Sequence, residues 1–226
     1  MFGRVFKNSF IILGKKPFLL IGLSLMYSLI CGLANIICIP FVVLGIAACL
    51  VLAVGMAGVF VNGYQGNKIS SENLFSGFSK FGRNAGGMGW RALWFIIWGL
   101  IPIAGPIIVI VKSYSYSFVT YILSEDKKIT ATSALKKSME LTKGHKGKLF
   151  LADLAFIGIS LVMFLIIFGL MAITFDTDII IFAILGGLIG VIYLILMPFF
   201  TKLVKAGFYE EIKTEKGYTP EGTIEA

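Results

Sequence analysis

Apolar residues gather into six blocks, at 18–39, 41–62, 90–102, 105–123, 149–175 and 179–203, with most charged residues in the stretches between them. A helix needs about 20 apolar residues to cross a hydrocarbon core of about 30 Å, because each residue rises about 1.5 Å. Five blocks meet that length or come close to it. The block at 90–102 is short, and an alternative reading runs one helix over 90–111, leaving 113–123 at the interface. A membrane barrel would alternate polar and apolar residues in segments of about ten, which none of these blocks does. The pattern predicts an all-α fold, a polytopic transmembrane helical bundle of six helices in three hairpins. It occupies a single membrane domain, 1–207, followed by a charged cytoplasmic tail at 208–226. The first block is too long for the core of a signal peptide and has no small-residue cleavage site after it, so it is expected to stay in the chain.

Charge sets the orientation. Lysine and arginine collect in cytoplasmic connections, and 19 of the 20 basic residues fall in four segments, 4–16, 68–91, 127–148 and 202–216. The connections at Pro40, at Ile103 and Ala104, and at Asp176 to Asp178 carry none. Six crossings with both termini cytoplasmic, in the cell membrane, satisfy this distribution. Five crossings would export the loop holding Lys127, Lys128, Lys136, Lys137, Lys143, Lys146 and Lys148. A hydrophobic share of 58% against 14% charged residues agrees with lipid as the main solvent, since soluble domains carry about a quarter charged.

Three inner segments carry apolar stripes at helical spacing. Phe2, Val5, Phe6, Phe10 and Leu13 form the first, ended by Gly14 and Pro17. Leu74, Phe75, Phe78 and Phe81 form the second, after Ser70 as N-cap. Ala134, Leu135, Ser138, Met139 and Thr142 form the third, between a Thr130 cap and a Gly144 terminator, with Lys136, Lys137 and Lys143 turned away. Such helices either lie in the headgroup plane or pack on the ends of the spanning helices. Either way their lysines, with Lys146 and Lys148, are candidate contacts for anionic inner-leaflet lipids. A weak repeat at an offset of sixty pairs Lys68, Ile69 and Ser70 with Lys128, Ile129 and Thr130, and Phe75, Phe81 and Arg83 with Leu135, Leu141 and Lys143. The stretch 202–216 reads as a truncated third copy.

Lys112 is the twentieth basic residue and falls inside the fourth block. A lysine at mid-membrane costs about 2.5–3.5 kcal/mol on insertion scales and normally faces protein or trapped water. Ser113, Tyr116, Ser117 and Thr120 continue from it as a polar stripe. That stripe either walls a hydrated path or hydrogen-bonds to neighbouring helices. Asp153 is the one acid well inside an apolar block. At about 1.5 Å per residue it differs in depth from Lys112 by about 10 Å, so Lys148, Lys146 or Arg91 is the easier partner. Ser24, Ser28, Gly32 and Asn35 on the first helix, and Gly186 and Gly190 with Ala183 and Gly187 on the sixth, read as packing faces. Trp90, Trp94 and Trp98 share one face of the third helix and read as membrane anchors.

Enzymatic constellations are scarce. His145 is the only histidine, and no serine or cysteine has a second base nearby in sequence. Cys31, Cys38 and Cys49 lie in apolar blocks and read as core residues. Asp176 and Asp178 make a poor cation site on a short turn. No cofactor, metal or catalytic residue is expected, and the basic face lacks any nucleic-acid-reading motif.

The stretch ALKKSMELTKGHKGKLFLADLAFIGI, 134–159, resembles the domain-of-unknown-function family 975 of bacterial integral membrane proteins. The resemblance extends to IPIAGPIIVIVKSYSYSFVTYIL and to the Phe-Tyr-Glu within 207–211. Ile159 stands where that family usually has tryptophan. The resemblance implies a polytopic bacterial plasma-membrane protein and assigns no activity. Two functions stay open: a non-enzymatic component binding anionic lipid, a membrane-protein partner or a second copy of the chain, and a transporter with a polar path around Lys112.

Overall fold

A computed structural model describes residues 1–15, 17–37, 42–102, 104–177 and 180–220. The turn at Pro40, Cys38, the Asp176 and Asp178 side chains and that of Asn35 lie outside the described residues. The described residues are mostly helical, with no strand among them. In chain order the helices are α1 Phe2–Lys15, α2 Pro17–Ile37, α3 Val42–Gln65, α4 Ser71–Phe75, α5 Phe81–Gly99, α6 Ala104–Ser115, α7 Val119–Glu125, α8 Ala131–Thr142, α9 Lys146–Thr177 and α10 Ile180–Glu215. A 3-10 turn, Ser76–Lys80, joins α4 to α5.

Four stretches are long and apolar enough to cross a membrane: Gly45–Gln65, Ala104–Glu125, Lys146–Ile173 and Ile181–Glu215. A fifth appears if α1 and α2, whose axes differ by 94°, are taken as one bent span. α9 and α10 pair along their length and leave an apolar exterior, with Ile157, Phe164, Phe168 and Leu194 all more than 60% exposed. An apolar surface of that extent is stable against lipid tails and not against water.

The core lies at the opposite end, where α3 is central. Tyr209, Phe208, Phe60, Phe118 and Leu74 are fully buried there. Residues from 208 onward, expected as a charged tail, continue α10 to Glu215, and Phe208, Tyr209 and Ile212 are completely enclosed. Their spacing of one, three and four puts them on one helical face. Lys213 joins that core with an ammonium 2.6 Å from Glu125 and 2.9 Å from Glu210. Gln65 donates to Glu125 as well. Gln65 and Glu125, which also stand sixty residues apart, are in contact, and α4 and α8 begin sixty residues apart.

The first and third amphipathic stripes are helices that bury part of their apolar faces on protein, whereas the second is divided among α4, the 3-10 turn and the start of α5, with Leu74 enclosed and Phe75, Phe78 and Phe81 exposed. Val5, Ser9 and Ile12 of α1 are buried, and Phe6 and Phe10 meet Phe200 of α10. Leu74 of α4 is fully enclosed against α3. Ser70 holds the N-cap position of α4 without a side-chain cap bond, whereas the Thr130 hydroxyl accepts from the Ser133 N–H. Gly144 ends the next turn with φ +87°, a conformation glycine adopts freely.

The fourth apolar block is not one continuous helix. It breaks between Ser115 and Val119. Ser113, Ser115 and Ser117 hydroxyls donate to carbonyls three or four residues back, competing with the helical ladder. α8 completes the break: the Ser138 hydroxyl accepts from the Phe118 N–H at 3.2 Å and donates to the Ser115 carbonyl at 2.8 Å. Ser138→Ala strips the buried Phe118 N–H of this partner and leaves the Ser115 carbonyl only the longer bond from the Thr142 hydroxyl at 3.4 Å, and is expected to cost about 1–3 kcal/mol. A fall in the unfolding midpoint of the detergent-solubilised variant is the readout, and Ser133→Ala, at an exposed position, is the control.

His145 is buried in the turn after α8, with Nε2 3.5 Å from Glu215 and Nδ1 3.4 Å from the Lys148 ammonium. Burial lowers its pKa, Glu215 opposes this, and Lys148 and Lys216 add to the lowering. The unfolded chain, at about 6.5, therefore binds the proton more readily than the fold. Stability is expected to fall as pH drops below about 6.5 toward the lower folded value. His145→Gln should unfold with a shallower dependence between pH 7.5 and pH 5.5.

Candidate functional site

The sequence places a polar stripe on the fourth apolar block, and the structure divides it between two hollows. Ser113, Ser117 and Thr120 line a cavity of about 290 Å³ bounded by α3, α5, α6, α7, α9 and α10. Lys112 and Tyr116 face a separate groove of about 470 Å³, walled by Trp90, Trp94, Trp98 and Lys136. Adjacent positions on a helix point about 100° apart, so Lys112 and Tyr116, four apart, share the groove while Ser113 and Ser117, also four apart, share the cavity.

In the groove, the Lys112 ammonium sits 5.5 Å from the Trp98 ring and 6.0 Å from that of Tyr116. The tryptophans form a ladder, with Trp94 stacked on Trp98 at 5.7 Å and set edge-on to Trp90 at 6.2 Å. Cation–π attraction of this kind offsets part of the cost of an intramembrane charge. Tyr116 is buried.

The smaller cavity is the more charged. Arg91 of α5, Asp153 of α9, and Lys202 and Lys205 of α10 all line it. Gly87 positions Arg91: a Cβ there would lie 2.8 Å from the Leu123 side chain, so α5 and α7 approach closely and the arginine one turn on faces inward. Lys202 and Lys205, three apart, share a face of α10. The Tyr121 hydroxyl donates to the Lys202 carbonyl at 2.8 Å and fixes α10 against α7.

Asp153 pairs with Lys205, whose ammonium reaches its two carboxylate oxygens at 3.0 and 3.1 Å. The sequence favoured Lys148, Lys146 or Arg91 as the partner. The continuation of α10 along α9 brings Lys205 closer. Arg91 and Lys202 pair with no carboxylate among the described residues. Arg91 has its guanidinium 5.4 Å from the Phe95 ring, and the Lys202 ammonium lies 4.6 Å from that of Tyr27. The cavity therefore carries three cations against one acid.

The neighbouring hydroxyls are largely committed. Ser113 donates to the Ile110 carbonyl and Ser117 to that of Tyr114. Their oxygens can still accept, but their protons are not offered to the cavity.

The inner-surface lysines are dispersed. Lys137 pairs with Glu140 at 3.0 Å and lies 4.9 Å from the Tyr218 ring. Lys148 is half-buried beside Met1 and His145. Lys143 is exposed, Lys146 is half-buried, and Lys136 is exposed at the mouth of the tryptophan groove.

Lys202 and Lys205 were not among the residues the sequence singled out, and Arg91 was named only as a partner for Asp153. Each lies at the end of an apolar block, where a basic residue has a sufficient explanation in topology. The spacing of Lys202 and Lys205 was the one available signal that two cations share a face.

These features define an all-helical membrane protein with a cationic cavity among its helices. The chain belongs to the family described as protein of unknown function DUF975, whose model matches residues 5–216. No curated protein and no solved structure matches it.

Proposed function

We propose that this protein is a non-enzymatic component of the cell membrane that binds the anionic headgroup of an inner-leaflet lipid in the cavity lined by Arg91, Lys202 and Lys205. The observation that carries this reading is two cations, the half-buried Arg91 and the exposed Lys202, that line one cavity and pair with no carboxylate among the described residues. An anionic ligand supplies the counter-charge that both lack. Among the described residues the cavity's one carboxylate, Asp153, is paired with Lys205.

The proposal includes six crossings, by α2, α3, α5, α6 with α7, α9 and α10, with both ends cytoplasmic and α1, α4 and α8 near the inner interface. α5 has 19 residues, about 28 Å at 1.5 Å each, close to the hydrocarbon thickness. Its inner half is polar, but Asn84 is enclosed, donating to the Gly77 carbonyl at 2.6 Å and accepting from Arg83. Protein rather than lipid covers those groups. The 94° between α1 and α2 supports an in-plane α1 if α2 crosses the bilayer. Under this layout the cavity opens within reach of inner-leaflet headgroups.

Transport along the fourth helix is the weaker reading, because Lys112 and Tyr116 do not share a hollow with Ser113, Ser117 and Thr120. The test is lipid retention by the purified full-length chain, read by native mass spectrometry. A charged hydrogen bond contributes about 1.5–3 kcal/mol, so Arg91→Gln with Lys202→Gln should lower retained anionic lipid by about tenfold or more. Zwitterionic lipid should be unaffected. Equal retention of anionic lipid in the variant and the natural chain contradicts the proposal.

A further inference from the structure

Building on the anion-binding reading of the cavity, we infer that its ligand is a phosphate monoester or free phosphate bound as the dianion, in preference to the phosphodiester of common phospholipids. The inference rests on charge count and donor type. Arg91, Lys202 and Lys205 face Asp153, so two positive charges are left without a counter-charge among the cavity's lining residues. A phosphodiester supplies one negative charge. A phosphate monoester supplies about 1.5–2 at neutral pH and three acceptor oxygens.

The donors sharpen this. Ser113 and Ser117 give their hydroxyl protons to backbone carbonyls, and Tyr121 gives its own to that of Lys202, which leaves Thr120 and Tyr114 as the other hydroxyls on the wall. Neutral donors hold any oxygen acceptor with similar strength. The attraction of the three cations, by contrast, scales with the charge of the ligand. Arg91 offers a planar fork suited to two oxygens of one phosphate, and Lys202 adds a mobile point charge. Lys205, already neutralised by Asp153, contributes less to the first charge bound and more if Asp153 turns aside.

Size is consistent with a headgroup alone. A cavity of about 290 Å³ is at the small end of the range of about 300–1,000 Å³ for sites that enclose whole small molecules. Ala53, Met56, Ala57 and Phe60 of α3 supply the apolar wall beside it.

The same dianion reaches the site from phosphatidic acid in the leaflet or from phosphate in the cytoplasm, and the experiment separates these sources. The full-length protein is purified in detergent and offered equal amounts of phosphatidic acid, phosphatidylglycerol and phosphatidylcholine, with bound species read by native mass spectrometry. At pH 7.5, phosphatidic acid should exceed phosphatidylglycerol by about tenfold or more. The margin should narrow at pH 5, where the monoester takes up its second proton, with a pKa of about 6. Millimolar inorganic phosphate that displaces phosphatidic acid would identify the soluble source. Resistance to phosphate would identify the lipid. Either result upholds the dianion. Equal binding of phosphatidylglycerol and phosphatidic acid at pH 7.5 overturns it while leaving anion binding intact. Binding of neither above phosphatidylcholine overturns the cavity reading itself. These comparisons use the natural chain, so no variant has to fold for the result to count.

Discussion

Lys213→Met is expected to destabilise the protein by about 3–5 kcal/mol, the range seen when one partner of a buried ion pair is removed. Lys213 is 9% exposed and bridges Glu125 and Glu210. Without it, two carboxylates face each other across an enclosed junction of α3, α7 and α10. Gln65 donates to both of them and Tyr209 donates to Glu125 at 2.7 Å, so the donors persist while the positive charge is lost. Glu125→Gln in the Lys213→Met background should restore part of the stability, because it removes one of the stranded charges. Unfolding midpoints of the two variants in one detergent check this. A single variant as stable as the natural chain would show that the junction is hydrated.

Gly55→Ala and Gly77→Ala should each cost about 3 kcal/mol or more, beyond ordinary overpacking, because the new methyl meets rigid backbone. A Cβ at Gly55 would overlap the Leu74 carbonyl, and one at Gly77 the Val51 carbonyl. The two glycines let α3 and the segment from α4 to the 3-10 turn touch backbone to backbone, and that contact fixes where α5 begins. Gly82 provides the contrast, with nothing within 4 Å of its Cβ position. Gly82→Ala should be neutral or stabilising by up to about 1 kcal/mol from helix propensity. Unfolding midpoints rank the three variants, and a tolerated Gly55→Ala would mean that the segment can move away from α3.

The apolar blocks made the helical fold and its membrane-compatible helices legible, because a 20-residue apolar run has few other physical explanations. The amphipathic helices were legible from period and capping residues, and Thr130 caps α8 as its sequence position suggests. What they pack against was not, since an apolar stripe is satisfied equally by lipid and by protein. The break after Ser115 depends on Ser138, twenty-three residues away, and no local pattern announces it. Gly87 and Gly55 look like any other small residues in an apolar neighbourhood until the backbone they approach is known.

The same limit applied to the site. Lys112 stood out because a charge inside an apolar block is anomalous in one dimension. Arg91 stands at the edge of one segment and Lys202 and Lys205 at the edge of another, where cations are expected, and only the folded arrangement shows that they converge. Asp153 was found from sequence, but its partner lies 52 residues away on α10.

The convergence of cations on a water-accessible space is the central claim, and the charge preference of a probe inside it is the most direct measurement. Ser117→Cys, with Cys31, Cys38 and Cys49 replaced by alanine, places one thiol in the cavity wall. In membranes, a negatively charged methanethiosulfonate should label it faster than a positively charged one of similar size, by on the order of tenfold or more. Arg91→Gln should shrink that ratio. A thiol that reacts faster with the cationic reagent, or with neither, would contradict the account.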